Sequence, residues 1–200
     1  MQNKKIKEKE FKLLPNSGIL SAPVYKGGEQ PDLSKHEIIK LNSNENPLGP
    51  SKLATDALKN SFEFINNYPS SSHEKLRKAI AKVHAINFEN IICGAGSDEL
   101  ISFICQCFCS TNDEVIYTEH GFAMYKISAL LRGANPVKVL ENERVADVDN
   151  ILKSCNNKTK IIFLANPNNP TGTFLDSSKI KYLLDNLPDT VLMVIDGAYA

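Results

Sequence analysis

The sequence contains no tryptophan, and none of its apolar runs is long enough to span a membrane. It has no excess charge of either sign, because 23 lysines and arginines balance 23 aspartates and glutamates. This balance gives no electrostatic reason to expect nucleic acid or an anionic membrane as a partner. The charged opening, MQNKKIKEKEF, also lacks the apolar core of a signal peptide. These absences favour a cytoplasmic enzyme that acts on small molecules.

The five cysteines do not suggest a disulfide framework, because their number is odd and three of them crowd into the apolar segment ICQCFC. Their C-x-C-x-C spacing differs from the paired C-x-x-C of zinc sites, and no histidine lies close by in sequence. On a helix, Cys105 and Cys109 would share a face, whereas Cys107 would point elsewhere. We therefore expect buried structural cysteines and no bound metal, with a thiolate metal site as the alternative.

Two nucleotide-binding signatures are also missing. The segment GAGSDE at 94–99 has Glu99 where the GxGxxG fingerprint of dinucleotide-binding proteins needs its third glycine, and the P-loop pattern GxxxxGK[ST] is absent. The sequence therefore gives less support to a function that uses NAD or a nucleoside triphosphate.

From Ser51 onward the sequence alternates between helical and strand patterns, whereas the first forty residues show neither and are predicted to form an arm. Two amphipathic helices come first, the second opened by a capping box, Ser71-x-x-Glu74. Five strands follow, at 90–93, 114–118 and 136–140 and in KIIFLA and TVLMVI, with helices between them. Apolar strands joined by helical crossovers predict an α/β fold with a largely parallel sheet. Both helices are expected to pack by an apolar face, which recurs at Leu53, Ala57, Leu58, Phe62 and Ile65 in the first helix and is the buried stripe Leu76, Ile80 and Val83 in the second.

Four polar or glycine-rich segments follow predicted strands, where open parallel sheets bind their ligands. They are GAGSDE (94–99), EHGF (119–122), NPNNPTG (166–172) and DGAY (196–199). GAGSDE is equally well an anion site at a helix start or a plain turn with Ser97 as N-cap. Asp196 ends an apolar strand, so its carboxylate needs a cation or hydrogen-bond donors, and a positively charged ligand nitrogen would serve.

NPNNPTG followed by a strand ending in DGAY, with GAGSDE and LNSNENPLGP upstream, resembles the aspartate-aminotransferase superfamily of pyridoxal 5'-phosphate (PLP) enzymes. NENPLG, NNYPS and GFAMYKI are similar to its histidinol-phosphate aminotransferase branch. The resemblance runs from about Leu41 to the last residue. It implies the PLP-dependent transferase fold, incomplete at the C-terminus, with an N-terminal arm and small-domain segment over 1–45 and an incomplete large PLP-binding domain over 46–200.

The same resemblance implies roles for four residues around the cofactor ring. Asp196 would pair with the protonated pyridine nitrogen, so that the ring can stabilise a carbanion at the substrate Cα. Asn169 and Tyr199 would hydrogen-bond the phenolic oxygen of the ring, and Phe122 would stack on its face, where the family often has tyrosine. Asp196 and Tyr199 are the catalytic candidates.

Gly96, Ser97 and Asp98 would hold the cofactor phosphate at a helix N-terminus, where the helix dipole favours an anion. Asp98 would then have to face away from the phosphate or accept backbone donors. The three residues are cofactor-binding candidates by resemblance.

Tyr68 would reach the phosphate from the neighbouring subunit of a homodimer, and the alternative is a core tyrosine in a turn. Asn44, Glu45 and Asn46 would lie near the substrate entrance, although a simple loop role for Glu45 stays open. The resemblance therefore implies an active site that two subunits share.

The implied reaction is a ping-pong transamination in histidine biosynthesis between a small-molecule amino donor, histidinol phosphate, and a 2-oxo acid, 2-oxoglutarate, giving imidazole-acetol phosphate and glutamate. It requires a cofactor-bearing lysine, which the family places one strand beyond DGAY and hence beyond residue 200. Lys179 and Lys181 should face solvent, so the chain alone is expected to be inactive. The alternatives are an aromatic aminotransferase, a threonine-phosphate decarboxylase of the same fold, or a truncated non-catalytic binding module. No role is assigned to the histidines, which are His36, His73, His84 and His120.

Overall fold

The computed structural model of the protein describes residues 15, 18–28, 32 and 39–200. Most of the predicted arm lies outside the described residues, as does His36. The described residues form two units, of which one consists of those up to Val24 together with Gly94–Ala200, and the other is Tyr25–Cys93. The domain boundary at residue 45 stays a prediction.

The smaller unit contains two helices, α1 (Lys52–Ser61) and α2 (Glu74–His84). Ser51 caps α1, since its side chain accepts a hydrogen bond from the backbone N–H of Ala54. Short 3-10 turns follow each helix, at Phe62–Phe64 and Phe88–Asn90.

Helix α2 begins at Glu74, so the prediction of a helix opened by a capping box at Ser71 is wrong. His73 is the N-cap residue, its φ of 49° lies in the left-handed region, and no side chain caps this end. The Glu74 carboxylate pairs with Lys78 one turn further along the helix instead of reaching back. The reciprocal hydrogen bonds of a capping box therefore do not form.

Neither helix of the smaller unit buries its apolar stripe. No residue of α1 or α2 is buried, and Leu53 and Val83 are 82% and 78% exposed. The helical period was predicted correctly, but the predicted burial is wrong for this structure. Periodicity identifies which face is apolar, and burial additionally requires a surface for that face to pack against.

No strand forms at 90–93, where one was predicted. The side chain of Asn87 accepts a hydrogen bond from Glu89 N at 3.0 Å and stabilises the turn at Phe88–Asn90. Ile91 is extended, but among the described residues the sheet has four strands and none of them pairs with this segment. Extended backbone becomes a strand only through a ladder partner.

The larger unit is built on a parallel sheet in the order β2-β1-β3-β4. Its strands are β1 (Glu114–Thr118), β2 (Asn135–Val139), β3 (Thr159–Ala165) and β4 (Leu192–Asp196). Strand β3 lies between two neighbours and is buried along nearly its whole length. The predicted α/β fold with a parallel sheet is confirmed.

Helices cover both faces of this sheet. They are α3 (Gly96–Phe108), α4 (Ala123–Leu131), α5 (Val148–Ser154) and α6 (Ser177–Asn186). Successive residues of β3 alternate between the faces, so that Ile161 and Phe163 pack with α3 and α4, while Ile162 and Leu164 pack with α5 and α6. No helix in the described part of the chain is long and apolar enough to cross a bilayer.

The three cysteines of the segment ICQCFC divide between core and surface as predicted. Cys105 and Cys109 are buried in the core, and Cys107 is exposed. Among the described residues, no three His, Cys, Asp or Glu side chains are grouped so that they could hold a metal ion. The two buried thiols serve as small apolar core residues.

Candidate active site

The carboxyl ends of the parallel strands bring several of the predicted segments to one edge of the larger unit. Hydrogen bonds continue the ladder past the strand ends, from Asn166 N to Asp196 O and from Glu119 N to Val139 O, both at 2.9 Å. The first residues after β1 and β3 are therefore held in register with the neighbouring strands. This edge is where ligands bind in open α/β sheets.

Asp196 is held at this edge by two donors. Its Oδ2 accepts a hydrogen bond from Tyr125 Oη at 2.8 Å, and its Oδ1 accepts one from Ala198 N at 3.1 Å. Tyr125 is 1% exposed, and its ring stacks on Phe163 with a centroid distance of 4.7 Å. The donors that a carboxylate at the end of an apolar strand requires are thus supplied by the chain itself.

Tyr125 is a functional candidate that sequence reasoning missed. Burial, with a smaller effect from the adjacent Asp196 carboxylate, raises its pKa far above the usual range, so the phenol stays protonated and donates. The available signal was its position in GFAMY, one helical turn after Phe122. Its apolar surroundings in α4 made it resemble an ordinary core residue.

Phe122 is the N-cap residue of α4 and lies edge-on to Tyr125, with ring centroids 5.9 Å apart. The turn before it is tight, since Gly121 N donates to Thr118 O at 2.9 Å. A Cβ at Gly121 would lie 3.0 Å from the same carbonyl oxygen, so this position favours glycine. The turn and the ring contact together fix where Phe122 enters the edge.

The segment NPNNPTG forms a closed loop after β3. The buried side chain of Asn166 pairs with the backbone of Leu175, donating from Nδ2 at 3.1 Å and accepting at Oδ1 at 2.8 Å. Asn168 N donates to Thr173 O at 2.9 Å inside the loop. Asn169, the residue predicted to contact the cofactor, is half-buried in this loop.

The GAGSDE segment forms the start of α3. Ala95 is the N-cap residue, and its N–H donates to the Glu99 carboxylate at 2.7 Å, so the alternative with Ser97 as N-cap is wrong. Gly96 has a φ of 81°, and no atom lies within 4 Å of the position that a Cβ would take. Ser97 and Asp98 lie in the first turn, whose backbone N–H groups have no intrahelical acceptor.

Three predicted substrate-side residues lie in a loop of the smaller unit. Glu45 forms an ion pair with Lys40 at 2.8 Å, and Asn46 Oδ1 accepts a hydrogen bond from Leu48 N at 2.9 Å. Asn44 adopts a positive φ of 51°. The contacts of Glu45 and Asn46 are local, which is what a loop role requires.

The two tyrosines predicted to contact the cofactor lie in different units. Tyr199 belongs to the larger unit and is half-exposed after β4, whereas Tyr68 belongs to the smaller unit and is fully exposed. The alternative reading of Tyr68 as a core residue is therefore wrong. Within the larger unit, the structure joins Asp196 to Phe122 through Tyr125.

The residues at the edge of the larger unit fit a ligand that has a cationic aromatic ring and an anionic group. The Asp196 carboxylate is held in place, the aromatic ring of Phe122 lies beyond Tyr125, and α3 begins at a glycine with open space around it. PLP has both chemical features.

A family model described as aminotransferase class I and II matches residues 36–200. The chain belongs to the aminotransferase class I and II family. It is 51% identical to a histidinol-phosphate aminotransferase of a Ruegeria species and 50% identical to one of Dinoroseobacter shibae. Each comparison covers 94% of this chain and 52% of the relative, so the chain spans about half the length of these relatives.

The aminotransferase fold is confirmed by similarity to solved structures. The histidinol-phosphate aminotransferase from Sinorhizobium meliloti, solved in complex with PLP, is 24% identical to this chain with a TM-score of 0.75. The comparison covers 78% of this chain and 43% of that protein. The chain therefore corresponds to part of this fold.

Proposed function

We propose that the full-length protein is a PLP-dependent aminotransferase that transfers an amino group between histidinol phosphate and 2-oxoglutarate. Relatives about 50% identical to this chain carry the name of that activity. The observation that carries the proposal is the buried Tyr125 donating to Asp196 at the carboxyl end of β4. A carboxylate held in this way is suited to pair with a cationic ring nitrogen.

When bound, PLP supplies a protonated pyridine ring that withdraws electrons from the substrate Cα. Asp196 would keep the ring nitrogen protonated by opposing its positive charge. Phe122 would lie against the ring face, while Asn169 and Tyr199 would donate to the phenolic oxygen. These residues bind and orient the group, and the cofactor-bearing lysine is expected outside the 200 residues.

The cofactor phosphate would bind at the start of α3. The N–H groups in the first turn point out of the helix, and the helix dipole favours an anion there. Gly96 leaves room for close approach, and Ser97 offers a hydroxyl donor. The exposed Asp98 would turn its carboxylate away from the phosphate, because like charges repel.

The protein would work as a homodimer in the cytoplasm. A fully exposed Tyr68 is accessible to a neighbouring subunit, as the shared active site requires. Asn44, Glu45 and Asn46 would border the entrance for the amino donor and the 2-oxo acid.

The test is an assay of the purified full-length protein with PLP and 2-oxoglutarate, following glutamate formation from different donors. We expect kcat/KM to be highest with histidinol phosphate, compared with phenylalanine, tyrosine and threonine phosphate. A preference for an aromatic amino acid, or release of carbon dioxide from threonine phosphate, would replace this proposal with a sister activity. Absence of any turnover and of PLP binding would favour a non-catalytic module.

Asp196→Asn provides the matched variant, since it keeps the shape of the side chain and removes its charge. We expect kcat/KM to fall by about 10²-fold or more, because a preorganised charge at the reacting system is lost. Asp185→Asn serves as the control, because Asp185 is exposed on α6 and its carboxylate pairs with Lys181, outside the predicted site. An equal effect of the two variants would contradict the role of Asp196.

A further inference from the structure

Glu141 follows β2 and has a carboxylate side chain that is only 2% exposed. Both of its oxygens contact one residue, His120. The backbone N–H of His120 donates to Oε1 at 3.0 Å, and His120 Nδ1 lies 2.8 Å from Oε2. A buried carboxylate is stable only where donors satisfy it, and here a single neighbour supplies both.

The contact determines the hydrogen position on the imidazole ring. An ionised carboxylate can only accept, so Nδ1 must carry a hydrogen, whether the ring is neutral or charged. The second ring nitrogen, Nε2, belongs to a side chain that is 43% exposed. Glu141 thus fixes both the position and the tautomer of His120.

His120 also joins a third loop. Its carbonyl oxygen accepts a hydrogen bond from Asn168 Nδ2 at 3.4 Å, and the same amide donates to Thr171 Oγ1 at 2.8 Å. The loops after β1, β2 and β3 therefore meet at His120, which contributes its N–H, its carbonyl and its ring. A residue bonded at all three groups has little freedom to move.

His120 lies two residues before Phe122, so the hydrogen bonds that hold His120 also affect the position of Phe122. Gly121 turns back onto Thr118, and Phe122 is the N-cap residue of α4. The segment between the end of β1 and the start of α4 is four residues long, so fixing His120 restricts the direction from which Phe122 enters. Phe122 is the residue expected to lie on the cofactor ring.

We propose that Glu141 is a positioning residue of the PLP site, which holds His120 in its Nδ1–H form and thereby fixes the loop 119–122 that presents Phe122. It acts through His120 and does not touch the reacting atoms. The part of this inference that concerns the cofactor rests on the proposed function. The part that concerns the tautomer rests on the hydrogen bonds alone.

The experiment compares Glu141→Gln with Glu119→Gln in the full-length protein. Glu119 lies next to His120 in the loop 119–122 and is also acidic. Its side chain is partly exposed, and its Oε1 lies 3.6 Å from Lys138 Nζ. Long-range 15N–1H spectra of the histidine rings report the tautomer, and His120→Asn identifies the His120 signals by their loss. Binding of pyridoxamine 5'-phosphate, which needs no covalent link to lysine, reports the cofactor site.

We expect the parent protein and Glu119→Gln to show the Nδ1–H form of His120. Glu141→Gln should admit the Nε2–H form, because an amide can also donate, and should weaken pyridoxamine phosphate binding by about ten-fold, the scale of one hydrogen bond to a charged group. An Nε2–H tautomer in the parent protein would overturn the inference. Unchanged binding in Glu141→Gln would do so as well, while a parent protein that does not bind the probe would overturn the proposed function.

A second pair of variants keeps the proposal testable if Glu141→Gln does not fold. In His120→Asn the amide nitrogen can take the place of Nδ1 and still donate to Glu141, whereas His120→Leu has no donor. We expect His120→Asn to bind pyridoxamine phosphate close to the parent affinity and His120→Leu to bind it about ten-fold more weakly. Equal affinity of the two variants would contradict the positioning role.

Discussion

The two units of this chain use similar apolar patterns with opposite results. In the larger unit, Ile161 and Phe163 of β3 are fully buried against α3 and α4. In the smaller unit, α1 and α2 have equally regular apolar stripes, yet none of their residues is buried. Periodicity therefore identifies which face of an element is apolar, whereas burial of that face depends on a partner surface that the pattern does not specify.

The largest expected effect comes from removing a ring at the centre of the larger unit. Phe163→Ala deletes a buried ring that stacks on Tyr125, and we expect the free energy of unfolding to fall by about 3–5 kcal/mol through lost burial and a residual cavity. Denaturant unfolding of the 200-residue chain measures this loss. A change below about 0.5 kcal/mol, the range of surface positions, would mean that this core is much less tightly packed than the structure implies.

A smaller effect should follow from removing one hydroxyl group in the same core. Tyr125→Phe deletes the donor to Asp196 and leaves Oδ2 without it, which should lower the free energy of unfolding by about 1–3 kcal/mol. Tyr117→Phe is the matched control, because Tyr117 is also a buried tyrosine of this core, while the side-chain hydroxyl that donates to Asp196 is that of Tyr125. Equal losses in both variants would show that the contact with Asp196 has no special weight.

The same contact predicts a pH dependence. The folded state raises the pKa of Tyr125 above the ordinary 10.0, so its contribution to stability is fully present below pH 10 and is lost as the pH rises from there towards the raised value. Across this alkaline range, the free energy of unfolding should therefore decline less steeply with pH in Tyr125→Phe than in the parent protein. If the free energies of unfolding of the two proteins change with pH in parallel, the conclusion that Tyr125 is buried in its protonated form is contradicted.

The smallest effect is expected in the smaller unit. Because Leu53 and Val83 are mostly exposed, Leu53→Ala or Val83→Ala in the 200-residue chain should change the free energy of unfolding by less than about 0.5 kcal/mol. Thermal or denaturant unfolding of the chain measures this directly. A loss as large as that of a core substitution would remove the contrast between the units.

Much of the larger unit could be predicted from its sequence, because β1, β3 and β4 each contain a short apolar run and each crossover has its own helical period. The bounds of β1 were predicted to the residue, and α4 differs by a single residue at its start. The predicted strand at 90–93 did not form, because strand formation depends on a neighbour and the local pattern contains no information about one.

The candidate site was predictable only in part. Glycine-rich and polar segments after strands identified its edge, but Tyr125 and Asp196 are 71 residues apart, and Glu141 and His120 are 21 apart. Hydrogen bonds between such residues follow from the order of the strands in the sheet. At the start of α2, the Glu74 side chain pairs with Lys78 instead of capping the helix, which the capping pattern did not reveal.

The pairing of Asn166 with Leu175 has a consequence for how this edge could be redesigned. One amide side chain imitates a strand neighbour and ties together the two ends of the intervening segment, 167–174. The two ends of this segment are therefore held by residues that lie outside it. Grafting a different peptide between these two anchors would alter what the edge presents while the sheet beneath keeps its register.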